Sequence, residues 1–413
     1  MLISFKCENF RSIRDLQELS MISGETRNHP EQITSFGEIG ILKSALIYGG
    51  NGSGKSNIYK AIRFSRDVIM SHTELKKFPS QEYKLDKRYS NKNSLFEYEI
   101  IIEGIFYRYG FEILLSEFKI INEWMDQIDK NLNTVEIFRR TDDNCCYRNK
   151  KIDCSIDKLF IWNVKNKEFS NDKNNATIKI IFDWFWNSLA VLKPSGSLLW
   201  DFDFDNEENL EKMTKILSTF DTGILDLKFI KHENGDETLK RVNNIRTKNL
   251  NSKIIRGNNV VYKEVEYDQA LVLRGIHGES ERIPINSNEE SDGTMQLINL
   301  APILISDDKD ITYVIDEFDR CLHPEVVYYF IKWFLNKNYK FSKQLIITTH
   351  EPRLLDQDLI RRDEIWFVDK SKDGSSELLP LDRYKIRFDK KLDKPYFKGY
   401  FGGIPKIKLP NDL

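Results

Sequence analysis

Apolar residues along the chain fall into two kinds of run. Short continuous ones, at 2–5, 44–48, 311–315 and 344–348, read as buried strands bounded by polar or glycine-rich sequence. The runs 96–103 and 105–114 are rich in β-formers and meet at Glu103-Gly104, which predicts a hairpin. Other segments repeat their apolar residues at helical spacing. Ile58, Ile62, Phe64 and Val68 predict a helix over 57–68, and 207–220 and 295–305 carry similar patterns. Pro324 opens one more helix at its first position, where a missing N–H costs nothing.

Between about 120 and 285 the pattern is irregular. Residues 183–192 are rich in Trp and Phe, 260–267 and 270–274 read as further strands, and a basic stretch runs from Lys240 to Arg256. The expected organisation is therefore an N-terminal half over 1–115, an insertion over 116–285 with helical and β parts, and a C-terminal half over 286–413. The length of 413 residues agrees, since one hydrophobic core usually holds no more than roughly 250–300 residues.

Composition changes this picture little. With 40% hydrophobic and 31% charged residues the chain is an ordinary globular protein, and a net charge of -2 gives no global signal for nucleic acid. Five scattered cysteines read as reduced thiols; Cys145, Cys146 and Cys154 lack a fourth ligand at zinc-finger spacing. Charge at Lys6 and Glu8 argues against a signal peptide, and no uncharged run reaches the ~18 residues of a membrane span. The expected location is the cytoplasm.

Four segments carry chemistry. Gly49-Gly50-Asn51-Gly52-Ser53-Gly54-Lys55-Ser56 has the spacing of a phosphate-binding loop and lies between a predicted strand and a predicted helix. Glycines let successive N–H groups turn inward around a phosphate, and the helix N-terminus adds its dipole. Lys55 would reach the β- and γ-phosphates of ATP, and Ser56 would ligate Mg2+. Tyr313-Val314-Ile315-Asp316-Glu317 is an apolar strand tipped with two acids, which fits Asp316 as a second Mg2+ ligand and Glu317 as the base for water. Thr348-Thr349-His350 also ends a strand, where ligands collect in open α/β sheets, so His350 can face the γ-phosphate. Finally, Glu290-Ser291-Asp292-Gly293-Thr294 precedes a helix that Ser291 can cap.

In this order the four segments resemble the ABC-type ATPase head shared by SMC, RecF and OLD proteins. That resemblance implies an α/β P-loop fold: a mixed sheet core plus an antiparallel β subsheet, with the insertion between its two halves. It also implies that Arg11 and Ser12, within Glu8-Asn9-Phe10-Arg11-Ser12-Ile13, and Asn57 behind the loop contact the nucleotide together with Gly50, Asn51, Gly52, Ser53 and Gly54. Ser291 and Gly293 would close over the γ-phosphate of a second copy, making a head-to-head homodimer the working unit. Gln81 and Gln127 are the candidates for the glutamine that often follows the P-loop.

More narrowly, Glu290–Thr294, Ile315-Asp316-Glu317-Phe318-Asp319 with Leu322-His323-Pro324, Thr348–His350 and the tail segments at 362–368 and 399–405 are similar to the AAA-type ATPases of bacterial abortive-infection systems, among them RloA, AbiL and the PARIS ATPase. The implied function is an ATPase subunit of an anti-phage system that controls a separate effector, a nuclease of the Toprim or RloB kind. A RecF-like repair or chromosome-maintenance ATPase is the alternative. The tail cluster Lys385, Arg387, Lys390, Lys391, Lys394 and Lys398, interleaved with Tyr396, Phe397, Tyr400 and Phe401, offers a surface for nucleic acid or a docked subunit.

Overall fold

The computed structural model describes residues 1–70, 78–129, 133–141, 144–147, 150–153, 158–162, 175–192, 202–203, 206–231, 253–257, 260–265, 269–286, 289–307, 309–337, 339–384 and 391–402. The chain forms two compact units. The first holds Met1–Lys193, Asp308–Phe318 and Leu335–Leu413; the second holds Pro194–Asp307 and Asp319–Phe334.

In chain order the described elements begin with β1 (Leu2–Glu8), β2 (Gln17–Ser20), β3 (Ile33–Phe36), β4 (Ile39–Leu42), β5 (Ser44–Gly49), α1 (Lys55–Met70), β6 (Ser94–Ile102) and β7 (Ile105–Leu114). Next come β8 (Lys119–Ile128), β9 (Thr134–Thr141), β10 (Asn144–Tyr147), β11 (Lys150–Asp153), α2 (Asn175–Asn187), β12 (Leu189–Leu192), α3 (Glu207–Thr219) and β13 (Asp226–Lys231). The chain continues with β14 (Lys253–Gly257), β15 (Val260–Val265), β16 (Gln269–His277), β17 (Ile283–Asn286), α4 (Asp292–Ile305) and β18 (Ile311–Ile315). It ends with α5 (Pro324–Asn336), β19 (Lys343–Thr348), β20 (Ile365–Lys370), β21 (Ser376–Pro380) and α6 (Asp393–Phe397).

The first unit contains two large sheets. One runs β12-β18-β19-β5-β20-β21, parallel except for the edge strand β21. Every residue of β5, β18 and β19 is buried, which is why these strands read as continuous apolar runs. Helix α1 packs on β5, β12 and β19, with Ile58, Ala61, Ile62, Val68 and Ile69 among its buried residues.

The other sheet is antiparallel, in the order β11-β10-β9-β8-β7-β6-β1-β2. Strand β6 buries Phe96, Tyr98 and Ile100, while Glu97 and Glu99 between them pair with Lys6. Glu103 (φ 51°) and Gly104 (φ 78°) are both left-handed, the geometry that closes a two-residue hairpin in step with strand twist. The α/β head with an antiparallel subsheet expected from the sequence is therefore present.

The division at 115 falls inside this antiparallel sheet, which continues through β8–β11. Buried Glu123 on β8 holds the segment after β11 in place, accepting hydrogen bonds from the amides of Phe160 (2.5 Å) and Ile161 (3.2 Å) and from the Tyr109 hydroxyl (3.0 Å). Most of the Trp- and Phe-rich stretch is core: Trp184 and Phe185 are buried while Trp186 is exposed, and α2 sets Phe185 against Tyr98 with ring centroids 4.9 Å apart. It leads into β12, whose register on β18 joins the parallel sheet.

The second unit has its own antiparallel sheet, β13-β16-β15-β14, with β17 paired to the C-terminal part of β16 on the side opposite β13. Helices α3 and α4 pack together, and Phe220 stacks on Phe330 of α5. Most of the basic stretch 240–256 lies outside the described residues. Among the described residues no helix is long and apolar enough to cross a membrane.

Candidate functional site

Strands β18, β19 and β5 are neighbours and run parallel, so their C-terminal ends share one edge of the sheet. That edge gathers the predicted residues: Asp316 and Glu317 follow β18, His350 follows β19, and the loop 50–54 follows β5. Ligands bind at such carboxyl edges because loops and helix N-termini converge there.

The loop is shaped for an anion. Gly54 has φ +113°, which residues with a Cβ rarely adopt, and a Cβ there would also collide with Ser376 and Ser12. A Cβ on Gly49 would lie 2.5 Å from Ser53 Oγ and 2.7 Å from the Val368 carbonyl. Asn51 and Gly52 are exposed at the tip, and Ser53 accounts for a turn through its amide to the Gly50 carbonyl (3.0 Å). Ser53 Oγ is buried and has no hydrogen-bond partner. Helix α1 begins at Lys55, so its positive dipole end points into the loop, with Ser56 partly exposed beside it.

Lys55 is buried, and its ammonium turns back onto the loop, donating to the carbonyl of Gly49 (2.5 Å). It also lies 3.0 Å from His350 Nε2. An ammonium has only protons to offer, so Nε2 accepts and the ring proton sits on Nδ1. The two residues predicted to read the terminal phosphate are thus already in contact.

Asp316 is buried, and its Oδ1 accepts the hydroxyl of Thr348 at 2.6 Å. Glu317 is exposed and left-handed at φ 50°. Its amide donates to the same Thr348 hydroxyl at 2.8 Å. These groups fit a polyphosphate with Mg2+: a cradle of glycines and an orphaned hydroxyl, a buried cation, a serine hydroxyl and a buried carboxylate. Among the described residues no three His, Cys, Asp or Glu side chains gather into a metal cage. Mg2+ in nucleotide sites needs none, because phosphates and water supply most of its oxygens.

Ser12 reaches the loop from the turn after β1, while Arg11 beside it in that turn bonds to Gln81. Asn9, left-handed at φ 50°, makes that turn possible: its amide donates to the carbonyls of Tyr89 and Lys92 (both 2.9 Å) and accepts from Tyr83 N (3.0 Å), holding 83–92 in place. Arg11 Nε donates to Gln81 Oε1 at 2.6 Å. Arg11, Ser12, Gln81, Tyr83, Leu85 and Lys370 help line a cavity of about 410 Å³, within the range of small-molecule sites. Gln127, the other candidate glutamine, sits in β8, paired with Tyr107 and Val135.

Ser376 was not legible as a site residue. Its hydroxyl donates to the Ser53 carbonyl at 2.5 Å and lies 2.7 Å from Ser12 Oγ, which accepts from Asn57 Nδ2 at 2.6 Å. These bonds join β21, the turn after β1, the P-loop and α1. Only the three-dimensional register of β21 brings Ser376 there.

In the second unit Ser291 caps α4, accepting from Thr294 N at 3.1 Å. Gly293 leaves no room for a side chain, since a Cβ would meet the Cys321 carbonyl at 2.7 Å. Just before the cap, Glu290 Oε1 is 2.7 Å from His277 Nε2.

Part of the tail belongs to the core and not to a surface. Tyr396 packs edge-on against Tyr48 (5.6 Å) and Phe401 stacks on Phe367 (4.7 Å), so both are buried, whereas Phe397 and Tyr400 are exposed. Lys385, Arg387 and Lys390 lie outside the described residues.

No curated protein matches the chain. Among solved structures it is similar to an SMC head domain from Thermotoga maritima, with 13% identity, TM-score 0.39, and coverage of 92% of this chain and 98% of that one. It is also similar to an SmcHead bound to the C-winged helix domain of ScpA, with 13% identity, TM-score 0.40, and coverage of 92% and 98%. Residues 44–356, from the first residue of β5 to beyond His350, match the family described as "AAA domain, putative AbiEii toxin, Type IV TA system". That span is most of the chain and contains the P-loop, both acids and the histidine, and the protein belongs to this family of AAA domains.

Proposed function

We propose that this chain hydrolyses ATP with Mg2+ and serves as the ATPase subunit of a bacterial abortive-infection system, related to RloA, AbiL and the PARIS ATPase. One observation carries the hydrolytic reading: Lys55, His350, Asp316 and Glu317 meet at the carboxyl edge of three adjacent parallel strands. The loop amides and α1 would surround the phosphates, and Lys55 would exchange its carbonyl partner for a phosphate oxygen. Ser56 and Asp316 would hold Mg2+, which neutralises charge on the phosphates. Glu317 would take the proton of the attacking water, and His350 would follow the terminal phosphate. The cavity beside Arg11 and Ser12 accommodates a nucleoside.

The biological reading draws on the family, whose description names a "putative AbiEii toxin" and a "Type IV TA system". In it, hydrolysis in a head-to-head dimer holds or releases a partner, a nuclease of the Toprim or RloB kind. Phosphate release by the purified chain tests the chemistry. Glu317→Gln should keep nucleotide binding and slow turnover about 10²–10⁴-fold, the usual contribution of a general base. Undiminished turnover in that variant would assign the base elsewhere. Affinity purification from the host with and without phage infection tests the biology, and a co-purifying nuclease is the expected result. DNA-stimulated hydrolysis with no protein partner would favour a repair role.

A further inference from the structure

We infer that Thr348 is a positioning residue for the hydrolytic centre: its single hydroxyl sets both the carboxylate of Asp316 and the backbone of Glu317. The inference rests on the hydrolytic reading above and concerns a residue that the reading leaves without a role.

Strand register places the hydroxyl. Ile315 of β18 pairs with Ile347 of β19, so the next residues, Asp316 and Thr348, come side by side with their side chains on the same face. The hydroxyl donates to Asp316 Oδ1 at 2.6 Å and accepts the Glu317 amide at 2.8 Å. One residue further, the amide of Phe318 donates to the Thr348 carbonyl at 3.0 Å. Thr348 thereby fixes the chain direction over all three residues after β18.

That constraint matters at Glu317, whose φ of 50° is unfavourable for a residue with a Cβ and persists only where neighbours impose it. The hydrogen bond from its amide to the Thr348 hydroxyl is such an imposition, and it fixes the backbone from which the exposed Glu317 side chain projects. At Asp316 the same hydroxyl occupies Oδ1, which leaves Oδ2 for a cation. Thr348 is itself buried, so water cannot replace its hydroxyl. Valine has the same shape and could make neither bond, whereas serine could make both.

The test compares Thr348→Val and Thr348→Ser with wild type in three measurements. The first is steady-state hydrolysis of ATP as a function of ATP and of Mg2+. The second is Mg2+-dependent binding of a non-hydrolysable ATP analogue. The third is amide hydrogen exchange of the peptide containing Glu317 in the nucleotide-free chain. Thr348→Val should lower kcat about 10–100-fold, the value of hydrogen bonds to a charged group, with a raised Mg2+ half-saturation and little change in KM for ATP. Its Glu317 amide should exchange faster, and Thr348→Ser should restore all three.

Wild-type kcat and wild-type exchange in Thr348→Val overturn the inference, as does a Thr348→Ser variant as impaired as Thr348→Val. If wild type hydrolyses no ATP, the hydrolytic reading falls by itself. Exchange at Glu317 and the Mg2+ dependence of analogue binding then decide the positioning role, and unchanged values in Thr348→Val reject it.

Discussion

At the residue scale, the P-loop is held by groups remote in sequence. Ser376 is 323 residues from Ser53, yet its hydroxyl donates to that residue's carbonyl, and its amide donates to the Ser12 carbonyl at 2.7 Å. Removing the hydroxyl frees the P-loop carbonyl and the Ser12 hydroxyl without touching Lys55, while the backbone bond to Ser12 remains. Ser376→Ala should therefore weaken ATP binding about 5–30-fold, the effect of one or two hydrogen bonds, and leave the melting temperature within a few degrees of wild type. Titration calorimetry beside thermal unfolding checks this; an unchanged Kd removes Ser376 from the binding machinery. Lys55, Asp316, Glu317 and His350 were legible because each follows a strand in a fixed local spacing. Ser376 and the hydroxyl of Thr348 act through pairing partners, which no local pattern records.

At the scale of elements, the two ends of the parallel sheet have different tasks. The carboxyl ends carry the candidate site, while the amino ends of β5 and β20 are fastened by Glu364. Its carboxyl accepts from Ser44 N (3.1 Å) and Arg361 N (3.0 Å) and is fully buried. Burial pushes its pKa up from 4.5 to about 8, against the downward pull of those hydrogen bonds. Between about pH 4.5 and 8 the folded chain thus keeps a proton that the unfolded chain releases. This contribution to stability is full below pH 4.5 and is lost as pH rises to about 8. Glu364→Gln, which cannot ionise, should flatten the fall in melting temperature from pH 5 to pH 8 by a few °C. Parallel curves for variant and wild type would contradict the assignment.

The strands β5, β18 and β19 and the helices α1 and α4 were legible, because a strand buried on both faces must be continuously apolar and a packed helix must repeat its apolar residues. Membership of a sheet was not. Strands β8–β11 fall where the sequence pattern is irregular, and only their register on β7 and on one another places them in the first unit. Aromatic residues among lysines likewise suggested a surface in the tail, where Tyr396 and Phe401 instead complete the packing around Phe367.

At the scale of the whole molecule, the P-loop and both acids belong to the first unit and Ser291 and Gly293 to the second. Whether Ser291 serves the site of its own chain or that of a second copy is a question of assembly. It can be answered with variants that separate its two roles. Ser291 caps α4 through its side-chain oxygen, and aspartate caps equally well, so Ser291→Asp keeps the helix start and places a negative charge where a phosphate would approach. That chain should bind ATP at its own P-loop and fail to hydrolyse it. Lys55→Ala should fail for the opposite reason, with an intact cap and no ammonium for the phosphates. If the sites are shared in a two-fold dimer, a heterodimer of the two variants holds one site with both Lys55 and Ser291 intact. An equal mixture, exchanged to equilibrium, should then recover about a quarter of wild-type turnover. If Ser291 acts within its own chain, every site in the mixture carries one lesion and turnover stays at the level of the separate variants. Phosphate release from the mixture, with subunit exchange monitored by two affinity tags, distinguishes the two cases.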